Sequence, residues 1–142
     1  MRRSALLLAL VLVPACGGGP SKRDQIDAFT DSVRRVQQAT VLSNAQMAGD
    51  STTETKAKLK AELEGAISQS AVVTDPVLAS LHPELPQQYR TLLLPALHLR
   101  LESLKSAGAE DGLTRQLEWQ KQLGAWGEWY DAHVDALRQK LR

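Results

Sequence analysis

Few side chains in this 142-residue chain are suited to catalysis or metal binding: Cys16 is its single cysteine, and its histidines are His82, His98 and His133. The histidines share no H-x-x-x-H or E-x-x-H spacing, and His98 with Glu102 offers only two ligands at positions i and i+4. The sequence contains no nucleophile elbow, phosphate-binding loop or dinucleotide-binding glycine motif. It therefore predicts no catalytic residue, metal or cofactor, and a protein that is not an enzyme.

Arg100 projects with Leu93, Leu97 and Leu104 on an apolar helical face. A guanidinium in that position must reach water or find a carboxylate from another helix. We expect structural pairing for Arg100, with recognition of an anion as the alternative.

Three tryptophans and a tyrosine fall between Trp119 and Tyr130. Trp119 and Trp126 lie within or beside the apolar arc of a predicted helix, so core packing is expected of them. Trp129 points about 100° away from Tyr130, toward a polar flank, where an exposed indole is a candidate contact with a partner or a bilayer interface. The candidate partner or ligand contacts are Trp126, Trp129, His133 and Arg100.

Gly124 and Gly127 stand inside the same predicted helix, where a glycine costs about 1 kcal/mol relative to alanine. Both point into the apolar arc. The favoured explanation is close approach of a neighbouring helix, with leucines of the preceding helix filling the space. The alternative is a groove beside Trp126 that accepts an apolar ligand or a partner side chain.

The hydrophobic spacing is helical throughout the chain that follows the N-terminal segment. Ser21 with Asp24 and Ser51 with Glu54 match capping patterns, and Pro95 is expected to kink or break the third long helix. The helices are expected at about 21–48, 51–74, 75–81, 86–107 and 113 to near the C-terminus. This pattern predicts an all-α domain over residues 21–142, either an antiparallel up-down four-helix bundle or two packed αα-hairpins.

Residues 1–15 have the layout of a secretory signal peptide, with Arg2 and Arg3 followed by ten apolar or small residues. An apolar helix of that length spans about 15 Å, which is too short for a transmembrane anchor. The formal net charge of the chain is +1, and removing both arginines leaves 15 basic against 16 acidic side chains. Because the mature chain is nearly neutral, nucleic acid is not an expected partner.

The segment Val13-Pro14-Ala15-Cys16 resembles the lipobox of bacterial lipoproteins, in which an aliphatic residue, a small residue and Gly or Ala precede the cysteine. The resemblance implies cleavage after Ala15 and a diacylglycerol group on Cys16. By analogy, Gly17 after the cysteine favours the outer membrane over the inner. The alternatives are an ordinary signal-peptidase site that leaves Cys16 as a free exported thiol, and an uncleaved helix in which Cys16 is a small hydrophobe.

Residues 16–20 are expected to form a flexible tether between the lipid and the helical domain. The resulting hypothesis is a membrane-anchored envelope lipoprotein, non-enzymatic, that binds another envelope protein or helps to assemble one. The alternative is a carrier that holds a small apolar ligand within the helical bundle.

Overall fold

A computed structural model describes residues 19–49, 52–105 and 110–141, whose secondary structure is helical, and the predicted all-α class is thereby confirmed for these residues. The helices are α1 Lys22–Met47, α2 Thr53–Ser70, α3 Asp75–Leu81, α4 Leu85–Gln88, a π-helical segment Tyr89–Leu93, α5 Leu94–Lys105 and α6 Glu110–Leu141. Within the described ranges, no helix has the length and apolarity needed to cross a membrane. The predicted signal peptide, residues 1–15, and Cys16 lie outside these ranges.

Helix α1 begins as its sequence predicts. The Ser21 hydroxyl accepts a hydrogen bond from the backbone N–H of Asp24 (3.0 Å), and the Asp24 carboxylate accepts one from the N–H of Ser21 (3.3 Å). This capping box satisfies N–H groups that the first turn of a helix leaves free. Oε1 of Gln25 then joins the start of α1 to the start of α3, because it accepts hydrogen bonds from the N–H and hydroxyl of Thr74 (2.9 and 2.7 Å).

The start of α2 differs from the prediction. Thr52 caps this helix, and its hydroxyl oxygen accepts a hydrogen bond from the N–H of Thr55 (3.1 Å). Ser51 lies outside the described residues. The cap falls one residue later than the Ser51–Glu54 pattern indicates because adjacent hydroxyl residues are near-equal candidates for the cap position.

Pro95 lies one residue inside α5, in a helical stretch that continues from α4 through the π-helical segment. Proline has no N–H to donate, and in an α-helix its ring clashes with the carbonyl group four residues earlier. Here the turn before it is wider, since the N–H of Leu94 donates to the carbonyl of Tyr89, five residues back. The interruption predicted at Pro95 is thus a π-helical segment and not an open break.

Helices α1 and α2 pack closely in opposite directions. Nη1 of Arg35 lies 3.4 Å from a Glu62 carboxylate oxygen, while Gln25, nearer the start of α1, meets Thr74 beyond the end of α2. A Cβ atom on Gly65 would lie 2.6 Å from Nη1 of Arg35, so this glycine leaves room for the Arg35 side chain where it lies across α2. Helix α2 in turn packs on α5, and α5 on α6.

Tyr89, fully buried in the π-helical segment, joins this core to α1. Its hydroxyl lies 2.7 Å from Oγ of Ser32, which donates its own proton to the carbonyl of Phe29, so the phenol is the donor between the two hydroxyls. Burial raises the pKa of Tyr89, which keeps this donor protonated. Other fully buried side chains include Phe29, Leu59, Leu63, Leu78, Leu85, Leu93, Leu97, Trp119 and Leu137.

Candidate functional site

Trp126 lies at the centre of an aromatic cluster between α6 and the rest of the core, with only 3% of its surface exposed. Its ring stacks on Tyr130 (5.5 Å between centroids), meets Trp129 at 5.9 Å and contacts Tyr89 edge to face at 6.0 Å. The core packing predicted for Trp126, and for Trp119 two helical turns earlier on the same face, is therefore confirmed. Two different environments flank this cluster on α6.

The first is a groove of about 510 Å³ between α1 and α6. Its apolar lining includes Val33, Val36, Trp119, Leu123 and Trp126. Its polar lining includes Gln37, Thr40, Ser43, Asn44, Gln120 and Asp131. The groove thus has an apolar interior and mainly uncharged hydrogen-bonding groups, a combination typical of sites for small apolar molecules.

Gly124 and Gly127 both line this groove. A Cβ atom built on either glycine would meet no other atom within 4 Å, apart from its own helix backbone and chain neighbours. The explanation favoured from the sequence, a neighbouring helix pressed against the two glycines, is therefore wrong. Leucines of the preceding helix do not fill the space either, and the two glycines face the open groove that was the alternative.

Tyr130 supplies a groove wall with a hydroxyl group. Burial is the main cause that raises the pKa of Tyr130, with a smaller opposing contribution from Arg138. The phenol is therefore neutral at physiological pH and able to donate a hydrogen bond. The charged group in the groove is Asp131, on the exposed side of α6, so the site favours a neutral or cationic polar end on an apolar molecule.

One end of the groove lies at the C-terminus of α1, where Nε2 of Gln120 is 3.0 Å from Sδ of Met47. Met47 is itself 42% exposed, and α6 adds two exposed apolar side chains one and two turns before Gln120: Leu117 (57%) and Leu113 (59%). Apolar surface therefore continues from the groove onto the outside of the domain.

The second flank of α6 carries Trp129 and His133. Trp129 is half-buried and packs against the core, so the expectation of an exposed indole is wrong. Its ring stacks on His133 at 4.5 Å between centroids, and its carbonyl oxygen lies 2.7 Å from Nδ1 of that histidine. His82, at the end of α3, meets both rings edge to face, at 5.2 Å from Trp129 and 4.7 Å from His133. The fold thus brings together two histidines that no sequence spacing connects.

Arg100 is buried, with 2% of its surface exposed. Its guanidinium donates to the hydroxyls of Ser43 (3.0 Å) and Ser103 (2.9 Å) and to the side-chain oxygen of Gln46. The carboxylate partner expected for Arg100 is not among these groups, which are all neutral. Burial lowers the pKa of Arg100, because it removes water that would stabilise the charged guanidinium. Arg100 therefore joins α5 to α1 through uncharged acceptors, behind the wall that Ser43 forms in the groove.

Sequence reasoning placed Trp126, Gly124 and Gly127 in one candidate groove but did not identify its α1 wall. The signal in the sequence for this wall was the position of Thr40 and Met47, which continue the apolar face of α1. Cys16, the predicted lipid-attachment residue, lies outside the described residues. The chain matches no protein-family model, no curated protein and no solved structure.

Proposed function

We propose that the helical domain is a non-enzymatic carrier that binds the apolar part of a small molecule in the groove between α1 and α6. The observation that carries the proposal is the open space beside Gly124 and Gly127. Each glycine weakens the helix by about 1 kcal/mol relative to alanine, and no neighbouring helix requires it. Space for a ligand accounts for both positions, and a volume of about 510 Å³ lies within the usual range for small-molecule sites.

The lining indicates the class of ligand. Trp119 and Trp126 line the groove but are almost fully buried, so each offers only an apolar edge. Gln37, Asn44 and Tyr130 offer hydrogen bonds near them. An uncharged or cationic amphiphile with a rigid or chain-like apolar body matches these groups. An anionic head group would face Asp131 without a compensating cation from the groove lining.

A substitution that fills the groove tests the proposal. In the full chain carrying Cys16→Ser, N-phenylnaphthylamine, a neutral apolar fluorescent probe, is expected to bind one site and to quench tryptophan fluorescence. Gly127→Leu places a side chain in the open space, so its affinity for the probe is expected to fall at least about tenfold.

Two matched variants serve as controls. Gly127→Ala adds only a Cβ that meets no atom, so it should retain binding and raise the free energy of unfolding by about 0.5–1 kcal/mol. Ala125→Leu makes a comparable change on the exposed side of α6, away from the groove lining. Equal affinity in Gly127→Leu and Ala125→Leu would exclude the groove as the site.

The proposed setting is the cell envelope, with the domain attached to a membrane by lipid on Cys16 and the outer membrane favoured. Five residues lie between Cys16 and Lys22, the first residue of α1, and the six Cα–Cα steps allow a reach of about 20 Å from the anchor. Two or three acyl chains would hold the protein stably, whereas one chain gives only marginal binding.

The anchor is tested separately from the groove. The mass of the mature N-terminal peptide is expected to show Cys16 as the first residue with its acyl groups attached. Cys16→Ser is expected to move the folded protein from the membrane fraction to the soluble fraction. Normal membrane fractionation of that variant would disprove the anchor and leave the groove proposal unaffected.

A protein-binding or assembly role is the second candidate, because Leu113, Leu117 and Met47 are exposed beside the groove. For this role we infer that the long helices form an up-down bundle with an opening between its first and last helices, α1 and α6. A partner helix would insert into that opening. Organic extraction of protein purified from its membrane distinguishes the two roles. A co-purifying small apolar molecule supports the carrier, and its absence together with a stoichiometric protein partner supports the assembly role.

A further inference from the structure

A cluster of potential metal ligands lies on the flank of α6 that carries Trp129 and His133. It consists of His82 at the end of α3, Glu84 in the connection to α4, and His133 on α6. One ligand atom from each residue lies within 4.8 Å of the other two. Two imidazoles and one carboxylate this close together are a ligand set that Zn²⁺ accepts in proteins.

The backbone holds one ring nitrogen of His133. A carbonyl oxygen can only accept, so the 2.7 Å contact between Nδ1 and the carbonyl of Trp129 places a proton on Nδ1. Nε2 of the neutral imidazole then has a free lone pair. Stacking on Trp129 fixes the plane of the ring. Histidines that bind metals use this arrangement, in which a backbone carbonyl holds the second nitrogen.

His82 reaches the cluster from a different element. Pro83 restricts the backbone between His82 and Glu84, so these two ligands leave the end of α3 with limited freedom. At present Nδ1 of His82 accepts a hydrogen bond from the N–H of Glu84 (3.0 Å). Coordination through Nδ1 replaces that N–H with the metal, and coordination through Nε2 moves the imidazole proton onto Nδ1. Either mode frees the Glu84 N–H, which lies at an exposed residue and can bond to water.

We propose that His82, Glu84 and His133 bind one divalent transition-metal ion of the zinc class. The ion would join the α3–α4 connection to α6, and its fourth coordination position would be left to solvent. Nitrogen ligands favour zinc over Mg²⁺ and Ca²⁺, which prefer sites built of oxygen atoms. Both histidines are half-buried and Glu84 is exposed, so the ion has access from solvent and the rings are still held by their packing.

Titration with Zn²⁺ by calorimetry tests the site in the full chain carrying Cys16→Ser, which removes the one thiol that would compete for the metal. One ion per chain is expected to bind, with a rise in the temperature of unfolding. His133→Ala should lower the affinity by at least about 100-fold, and Glu84→Gln, which changes an exposed residue without altering its size, by about tenfold or more.

His98→Ala is the matched control, because His98 is an exposed histidine on α5 outside the cluster. Its affinity for Zn²⁺ should equal that of the parent chain. Substitution of Co²⁺ adds a readout of geometry, since tetrahedral coordination gives intense visible absorption that an octahedral aquo ion lacks. The proposal is overturned if no stoichiometric binding occurs, or if Glu84→Gln and His133→Ala bind Zn²⁺ as tightly as His98→Ala.

Discussion

Trp126→Ala is expected to lower the free energy of unfolding by about 3–5 kcal/mol, which is the usual loss for a large aromatic residue removed from a core. Trp126 is 3% exposed and contacts the rings of Tyr89, Trp129 and Tyr130. These contacts connect α6 to the π-helical segment, so the cavity left by the substitution would open between two elements. Urea unfolding followed by circular dichroism measures the loss.

The same substitution should also change both flanks of α6. Removal of the indole deletes part of the groove lining and one neighbour of the Trp129 ring. Probe binding and the packing of His133 should therefore both weaken. Leu117→Ala, at an exposed position of the same helix, should change the stability by less than about 1 kcal/mol. A stability loss for Trp126→Ala no larger than that of Leu117→Ala would contradict the role of Trp126 as the central contact of α6.

Arg100→Ala is expected to lower the free energy of unfolding by about 3 kcal/mol. The change removes a buried side chain and leaves a cavity between α5 and α1. It also removes the N–H groups that donate hydrogen bonds to the side-chain oxygens of Ser43 and Gln46. Ser43 is fully buried, so water cannot readily replace its lost donor. Chemical unfolding again provides the measurement.

Arg100→Met separates lost volume from lost hydrogen bonds. Methionine fills most of the space and removes a charge whose burial is unfavourable, as the lowered pKa of Arg100 indicates. We therefore expect a loss of about 1–2 kcal/mol, smaller than that of the alanine variant. If the two variants lost the same unfolding free energy, the cavity would not account for the greater part of the loss in Arg100→Ala.

The sequence was sufficient to predict features that depend on neighbouring residues in the chain. The helical class follows from hydrophobic spacing, and the α1 capping box follows from two residues three positions apart. The burial of Trp119 and Trp126 follows from their places on one helical face. In each case the feature depends on residues close together in the chain, or on the side of a helix that a residue occupies.

The remaining features depend on which helices meet, and local spacing does not contain that information. Whether Gly124 faces a helix or open space is decided by the distance of α1, which no residue of α6 specifies. His82 and His133 meet because α3 ends beside α6. The neutral partners of Arg100 could not be predicted, because Ser43 lies on another helix.

The π-helical segment has a consequence for how this chain tolerates changes of length. A π-helical turn amounts to one residue inserted into an α-helix. Because the wider turn absorbs the extra residue, the residues that follow it face as they would in a regular α-helix one residue shorter. If the same residues wound as a uniform α-helix, everything after the segment would rotate by about 100° relative to Tyr89, and Arg100 would face away from Ser43. The π-helical turn thus keeps both halves of this stretch in phase with α1. Deletion of exposed Thr91 with a return to α-helical winding would preserve the contact between Arg100 and Ser43, whereas a further insertion would break it.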